Sequence, residues 1–132
     1  MAKQVLVVDP DDATRAQIVE KLRTNQIGVL EAADGRAALE LALDAQPDLV
    51  VSELVLDDLT GLNLCRQLRE AGSAGAIPFV ILTHYADEMD RIIAFELGVD
   101  DFVPKPFSVN ELVARLKAIL RVPGVPTSDA TA

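Results

Sequence analysis

Five short apolar runs alternate with longer segments of helical period, and this alternation constrains the fold of the chain more than any other feature. The runs cover residues 4–8, 27–31, 48–54, 78–83 and 100–103. Parallel strands need crossover connections, so strict alternation of strands and helices favours a parallel sheet with helices on both sides. The sequence therefore predicts an α/β domain, a doubly wound five-stranded parallel sheet with five helices.

The segments between the runs carry apolar residues three or four positions apart, as in helices that lay one face on a sheet. The predicted inward-facing sets are Ala16, Val19, Leu22 and Arg23 in the first helix; Ala38, Leu39 and Ala42 in the second; Leu62, Cys65 and Leu68 in the third; Met89, Ile93 and Leu97 in the fourth; and Leu112, Leu116 and Ile119 in the fifth. Ligands in such folds gather beyond the carboxyl ends of the strands. Asp9, Glu53, Thr83 and Lys105 lie at or just after such ends.

Length and composition indicate one domain with one core, because the chain has 132 residues of which 50% are hydrophobic. We expect no second catalytic domain. The domain is placed in residues 1–121. Residues 122–132 combine prolines with small polar residues and are predicted to form a linker or a disordered tail.

The charge balance excludes some classes of partner. With 12 basic and 21 acidic residues the formal net charge is -9, which repels phosphate backbones and anionic lipid surfaces. We therefore expect no direct nucleic acid binding and no membrane binding. The lone Cys65 excludes an internal disulfide, and no apolar run approaches the roughly 20 residues of a membrane span. The amino terminus lacks the pattern of a secretory signal, so a cytoplasmic location is expected.

Five short pieces of the sequence, taken together, carry a family resemblance. They are Val7-Val8-Asp9, residues 47–53 ending in Glu53, Ile81-Leu82-Thr83, residues 98–102 ending in Phe102, and Lys105-Pro106-Phe107. Their order and separations closely resemble the receiver domain of bacterial two-component response regulators, over about residues 3 to 121. The resemblance implies a flavodoxin-like (βα)5 receiver fold. It also implies a site where an aspartate takes a phosphoryl group from a histidine kinase, helped by Mg²⁺.

The chain departs from the family at the phosphoacceptor position, which Glu53 occupies. The extra methylene moves the carboxylate by on the order of 1 Å, and a misplacement of that size can cost about a hundredfold in rate. A fixed negative charge could instead reach toward Lys105 and Thr83 and partly imitate an acylphosphate. Three interpretations stay open: imitation or another constitutive state, an inert relic, and slow phosphorylation. The sequence does not distinguish an inherited glutamate from an engineered one.

The acidic metal site of the family is also incomplete, at Asp9, Pro10 and Val55. Asp9 matches the first acidic position, but proline at the next position has no side-chain oxygen. Because Mg²⁺ demands near-octahedral oxygen coordination, we expect no cofactor, with weak Mg²⁺ binding through Asp9 at most. Asp11 or Asp12 could lean into the site, or could cap the first helix.

The remaining pocket residues keep the family's residue types. Thr83 and Lys105 match the hydroxyl and lysine positions, and Phe102 matches the aromatic switch position, although it could be an ordinary aromatic beside the last strand. His84 could overhang the pocket or be simply packed or solvated. The resemblance also implies a cis peptide bond between Lys105 and Pro106.

A second surface resembles the two-fold dimer face of the winged-helix class of response regulators. It lies on the fourth helix, last strand and fifth helix, and its residues are Arg91, Ile92, Phe95, Glu96, Asp100, Asp101, Glu111, Ala114, Arg115 and Lys117. Ile92 and Phe95 lie off the predicted inward stripe, which favours a homodimer through this face. Alternatively, Glu111 and Arg115 form only a local helix pair.

These observations predict an atypical receiver domain, or pseudo-receiver, that is not an enzyme and signals with little or no phosphorylation. It would act by dimerising or by docking an output domain or partner protein, to control an output such as transcription. The alternatives are a working phosphoacceptor that uses Glu53, or an engineered phosphomimetic of a conventional receiver. A flavodoxin-like cofactor binder is disfavoured, because no glycine-rich phosphate loop follows the first strand.

Overall fold

The computed structural model of the chain describes residues 2–85 and 87–121. Strands and helices alternate throughout. The strands are β1 Gln4–Val8, β2 Gly28–Ala32, β3 Leu49–Ser52, β4 Phe79–Thr83 and β5 Asp101–Pro104; the helices are α1 Asp12–Thr24, α2 Gly35–Ala45, α3 Gly61–Arg69, α4 Glu88–Glu96 and α5 Val109–Leu120, with a 3-10 turn at Gly72–Ala76. The predicted strands and helices are all present, and the strand bounds agree with the prediction to within one or two residues.

The five strands form one parallel sheet in the order β2-β1-β3-β4-β5. The chain moves to one side of β1 to make β2 and then returns to the other side to make β3, so the topological switch lies between β1 and β3. Val8 pairs with Ser52 there, and their successors Asp9 and Glu53 follow directly. The predicted doubly wound α/β fold is confirmed, and its switch point brings these two acids to one edge.

The core consists of two apolar layers, one on each face of the sheet. Alternate residues of β1 point to opposite layers, because side chains alternate along a strand: Leu6 and Val8 join the layer under α2 and α3, while Val5 and Val7 join the layer under α1 and α5. All four are at most 1% exposed. Burial on both faces agrees with the continuous apolar runs of the sequence.

Two predicted helix faces are wrong in detail. In α1, the predicted inward residues Val19 and Leu22 are buried, but Ala16 and Arg23 are exposed. Ile18, which was not predicted to face inward, is buried. Three- and four-residue spacings define adjacent faces of a helix, so the apolar pattern alone left the choice of face ambiguous.

In α4 the predicted inward residue Met89 is 60% exposed, and the buried residue is Ala94. Ile93 and Leu97 are only half-buried. A small side chain at the contact lets a short helix pack closely, and the larger apolar side chains are left at its edges and outer face. This leaves more apolar surface on α4 than the sequence predicted.

Within the ranges that the structure describes, none of the helices is both long enough and apolar enough to cross a membrane. The tail predicted for 122–132 lies outside the described residues.

Candidate functional site

Lys105 joins the two acids at the switch point. Its Nζ donates to Asp9 Oδ2 at 2.7 Å and to Glu53 Oε1 at 2.8 Å. The side chains of Lys105, Glu53 and Asp9 are 8%, 5% and 3% exposed. Backbone hydrogen bonds fix this arrangement, since the Glu53 amide donates to the Val8 carbonyl and the Lys105 amide to the Thr83 carbonyl, both at 2.9 Å. Three separate strands therefore position one buried ion cluster.

The two carboxylates determine the protonation of Lys105. Burial alone would lower the pKa of this ammonium, but hydrogen bonds and charge from Asp9 and Glu53 outweigh burial and raise the pKa above its ordinary value of 10.5. The group is therefore a cation at neutral pH.

Both oxygens of Glu53 have partners. Oε1 accepts from Lys105, while Oε2 accepts from the backbone amides of Leu54 at 2.5 Å and Val55 at 3.1 Å. The glutamate side chain, which is one methylene longer than an aspartate, thus turns back onto the loop that follows β3. Of the two polar groups that the sequence placed within reach of Glu53, the structure brings Lys105 into contact. Within the described part of the chain, the other group, Thr83, makes no hydrogen bond to Glu53.

Asp9 is held from several sides. Its Oδ1 accepts from the Asp11 amide at 2.9 Å, and its carbonyl oxygen accepts from Arg15 Nη1 at 2.7 Å. Arg15 also pairs with Asp12 and Glu31. Since Oδ2 accepts from Lys105 and Oδ1 from the Asp11 amide, both carboxylate oxygens of Asp9 have partners within the protein.

Asp11 caps α1 and does not lean into the ion cluster. Its carboxylate accepts from the amide and the hydroxyl of Thr14, and these hydrogen bonds lower the pKa of Asp11 below its ordinary value of 3.8. Of the two alternatives that the sequence left open for this residue, the structure favours the helix cap.

The oxygen ligands available to a metal are few. Pro10 contributes no side-chain oxygen, Val55 is an exposed apolar residue, and the carboxylates of Asp9 and Glu53 are paired with Lys105. In residues 2–85 and 87–121 no group of three or more acidic, histidine or cysteine side chains is arranged to hold a metal ion. This donor set does not fit the octahedral oxygen shell of the Mg²⁺ that the family resemblance implies.

The other pocket residues are distributed around the cluster. Thr83 is buried, and its Oγ1 accepts from the Tyr85 amide at 3.1 Å. His84 is exposed at the rim, with its ring edge-on to Tyr85 at a centroid distance of 5.8 Å. Phe102 is 7% exposed, and the Arg91 guanidinium lies 5.4 Å from its ring centroid. The peptide bond between Lys105 and Pro106 is cis, as the resemblance implied.

An open pocket of about 320 Å³ lies over the cluster. It is lined by Asp9, Pro10, Asp11, Thr14, Glu53, Val55, Asp57, His84, Tyr85 and Lys105. Thr14, Asp57 and Tyr85 were not singled out from the sequence. Each lies within a few residues of a predicted site residue, and this proximity was the only available signal for them.

Sequence reasoning also missed Asp58, which ties the loop after β3 to the start of α2. Its carboxylate accepts from the amides of Gly35 at 2.8 Å, Arg36 at 2.9 Å and Leu59 at 2.7 Å. Burial acts to raise the pKa of Asp58, but these amide hydrogen bonds together lower it below 3.8. A neighbouring loop therefore supplies α2 with a second acidic cap, in addition to its own cap Asp34.

The predicted dimer face is distributed over α4, β5 and α5. Ile92 and Phe95 are exposed, at 44% and 50%, so the prediction that they lie off the inward stripe is confirmed. Arg115 lies between Asp101 at 3.0 Å and Glu111 at 3.1 Å within the same chain. The face thus combines an apolar surface on α4 with a paired charge cluster on β5 and α5.

Two residues predicted for this face make other contacts. Asp100 accepts from the Phe79 amide at 2.9 Å, and Lys117 donates to Asn25 at the end of α1 at 3.0 Å. Arg91, Glu96 and Ala114 are exposed, as expected of surface residues.

The sequence matches the response regulator receiver domain family over residues 5–117. The chain belongs to this family. It is 40% identical over 121 residues to the response regulator MprA of Mycolicibacterium vanbaalenii, covering 92% of this chain and 52% of that protein. It is 39% identical to the alkaline phosphatase synthesis transcriptional regulatory protein PhoP of Bacillus subtilis, with 92% and 50% coverage. The chain thus spans about half the length of these curated relatives.

Solved receiver structures agree with this assignment. The non-phosphorylated HemR receiver domain of Leptospira biflexa has a TM-score of 0.83 at 30% identity, with coverage of 91% of this chain and 95% of that chain. The receiver domain of the sensor histidine kinase PA1611 of Pseudomonas aeruginosa PAO1, solved with a magnesium ion in its active site cleft, has a TM-score of 0.82 at 26% identity, covering 92% and 98%. The flavodoxin-like receiver fold and the place of the chain among two-component response regulators are confirmed.

Proposed function

We propose that this receiver domain is an atypical one that signals without a phosphoryl cycle, through a constitutively formed surface on α4, β5 and α5. The observation that carries the proposal is the state of Glu53 at the phosphoacceptor position. Its carboxylate is 5% exposed and accepts three hydrogen bonds, from Lys105 and from two backbone amides.

An acceptor carboxylate must present a free oxygen in line with the phosphodonor. Both oxygens of Glu53 would first have to leave their present partners, and the longer side chain then has to reposition. Each step adds to the barrier for phosphoryl transfer. A carboxylate bonded to Lys105 and to two backbone amides therefore supports a fixed state of the site, in which the domain has no enzymatic activity.

The output would come from the apolar ridge of α4, formed by Met89, Ile92 and Phe95. All three are at least 44% exposed, and a groove beside them is lined by Asp87, Glu88, Arg91, Ile92, Phe95 and Glu96. In a two-fold contact each residue meets its partner twice, so a ridge of this kind can bury itself against a second copy. The mixed charges around it would set the register of a homodimer.

Control of transcription is the output that the relatives suggest. PhoP is named a transcriptional regulatory protein, and the present chain corresponds to about half of its length. In a longer chain, the proposed dimer would bring two output domains together. The chain has a net charge of -9 and would contribute no direct nucleic acid contact.

A working phosphoacceptor is the second candidate, and the retained Thr83 and Lys105 beside an open pocket favour it. Light scattering across protein concentration, with and without Mg²⁺ and a small-molecule phosphodonor, separates the two. The proposal predicts a dimer whose dissociation constant is the same under all conditions. A dimer that forms only when the phosphodonor and Mg²⁺ are both present would contradict it.

A further inference from the structure

We propose that the Lys105 ammonium is the resident cation of this site and takes the place of a divalent metal ion there. The inference deepens the proposed function and rests on it, because both require that no phosphoryl group enters the site. It concerns what balances the buried charge of Asp9 and Glu53, and it predicts when the protein will respond to magnesium and when it will not.

The need for a cation follows from burial. Asp9 and Glu53 are 2% and 5% exposed, and two facing carboxylates removed from water destabilise the fold unless a positive charge lies between them. Lys105 meets this need at 2.7 and 2.8 Å from the two acids.

Every carboxylate oxygen at the centre of the site is already used. One oxygen of each acid accepts from Lys105, the other Asp9 oxygen accepts from the Asp11 amide, and the other Glu53 oxygen accepts from two loop amides. Pro10 adds none. A divalent ion at the centre of the site would therefore compete with the ammonium and with these amides for the same carboxylate oxygens.

This competition has a specific consequence. If Lys105 is the cation that the site requires, its removal leaves two uncompensated buried carboxylates that attract a divalent ion. The wild-type protein is then insensitive to magnesium, and the variant Lys105→Gln becomes sensitive to it. The double variant Glu53→Gln/Lys105→Gln has one carboxylate instead of two, and its sensitivity disappears.

The test is the thermal unfolding midpoint of the full 132-residue chain and these variants, with and without millimolar MgCl₂. Lys3→Gln, which removes an exposed lysine, is the matched control. We expect no shift for wild type, Lys3→Gln and the double variant. For Lys105→Gln we expect a low midpoint that magnesium raises by on the order of 5 °C, as for a ligand at roughly ten times its dissociation constant.

A magnesium-induced rise in wild type as large as in Lys105→Gln would overturn the inference. If Lys105→Gln does not fold alone, recovery of its circular dichroism spectrum in MgCl₂ supports the inference. Failure to recover, while the double variant folds, overturns it. None of these readouts involves a phosphodonor, so a failure here is distinct from a failure of the proposed function.

Discussion

The ion cluster at the strand ends and the ridge on α4 differ in how completely their groups are paired. At the cluster, the ammonium of Lys105 and both acids are buried and bonded to one another. On α4, Ile92 and Phe95 are 44% and 50% exposed. A region whose groups are satisfied resists change, whereas an uncovered apolar ridge gains free energy by meeting a partner. The contrast assigns stability to the first region and association to the second.

The largest expected effect comes from breaking the buried cluster. Lys105→Gln should lower the free energy of unfolding by about 3–5 kcal/mol at neutral pH, because two buried carboxylates lose their counter-charge. Urea denaturation measures the change, with Lys3→Gln as the control. An effect no larger than that of the control would show that the cluster contributes little to stability.

The same variant gives a pH dependence with a defined sign. The folded-state pKa of Lys105 is raised above 10.5, so its contribution to stability is complete below that pH and is lost as pH rises through the folded-state pKa. The difference in unfolding free energy between wild type and Lys105→Gln should therefore be constant near neutrality and shrink in alkali. A difference that grows with alkaline pH would contradict the assigned direction.

The second prediction restores what the site lacks. Pro10→Asp together with Glu53→Asp supplies another oxygen ligand and a carboxylate of the shorter length. We expect this double variant to accept a phosphoryl group at least about a hundredfold faster than wild type, since misplacement of about 1 Å can cost that much. Each single variant should recover only part of the rate. Equal, slow rates in all four proteins would mean that other residues limit the chemistry.

The third prediction concerns the ridge. Phe95→Ser should weaken the dimer by at least about tenfold, because truncation of a hot-spot residue at the centre of an interface costs about 2 kcal/mol or more and about 1.4 kcal/mol is a factor of ten. Its unfolding free energy should change by less than about 0.5 kcal/mol, as for an exposed residue. Leu43→Ser is the matched control, since Leu43 is 43% exposed on α2, outside the proposed face. Sedimentation velocity gives the dissociation constants. Equal weakening of the dimer by both variants would contradict the proposed interface.

The smallest effect is expected at Asp58. This residue is not part of the ion cluster, and its substitution tests whether it holds the loop after β3 in place. Asp58→Asn should lower stability measurably, and Asp57→Asn, its exposed neighbour, should not. Because the folded-state pKa of Asp58 is lowered, its contribution is complete above 3.8 and is lost as pH falls through the folded-state pKa. Urea midpoints at neutral and acid pH check this, and a difference that persists in strong acid would exclude a role for the charge.

Much of the fold and part of the site could be predicted from the sequence. Alternating apolar runs and helical periods fix a parallel sheet, and the ends of its strands bring Asp9, Glu53 and Lys105 together. The orientation of α4 could not be predicted this way. Ala94 packs inward and Met89 does not, because the fit of a small side chain at a helix contact is a tertiary property.

The hydrogen-bond partners of Glu53 and Asp58 could not be predicted from the sequence either. The hydrogen bonds that Glu53 accepts from the loop amides, and that Asp58 accepts from the amides of Gly35 and Arg36, depend on the backbone path of a loop. Apolar periodicity does not describe such a path. For the same reason, the sequence left open whether Asp11 served the site or the helix.

Intact-mass spectrometry of the wild-type chain after incubation with a small-molecule phosphodonor and Mg²⁺ tests the central claim most directly. The proposed state of Glu53, bonded to Lys105 and two amides, predicts that the mass stays that of the unmodified protein while Pro10→Asp/Glu53→Asp gains one phosphoryl group. A stoichiometric gain of one phosphoryl group on Glu53 of the wild type would contradict the account.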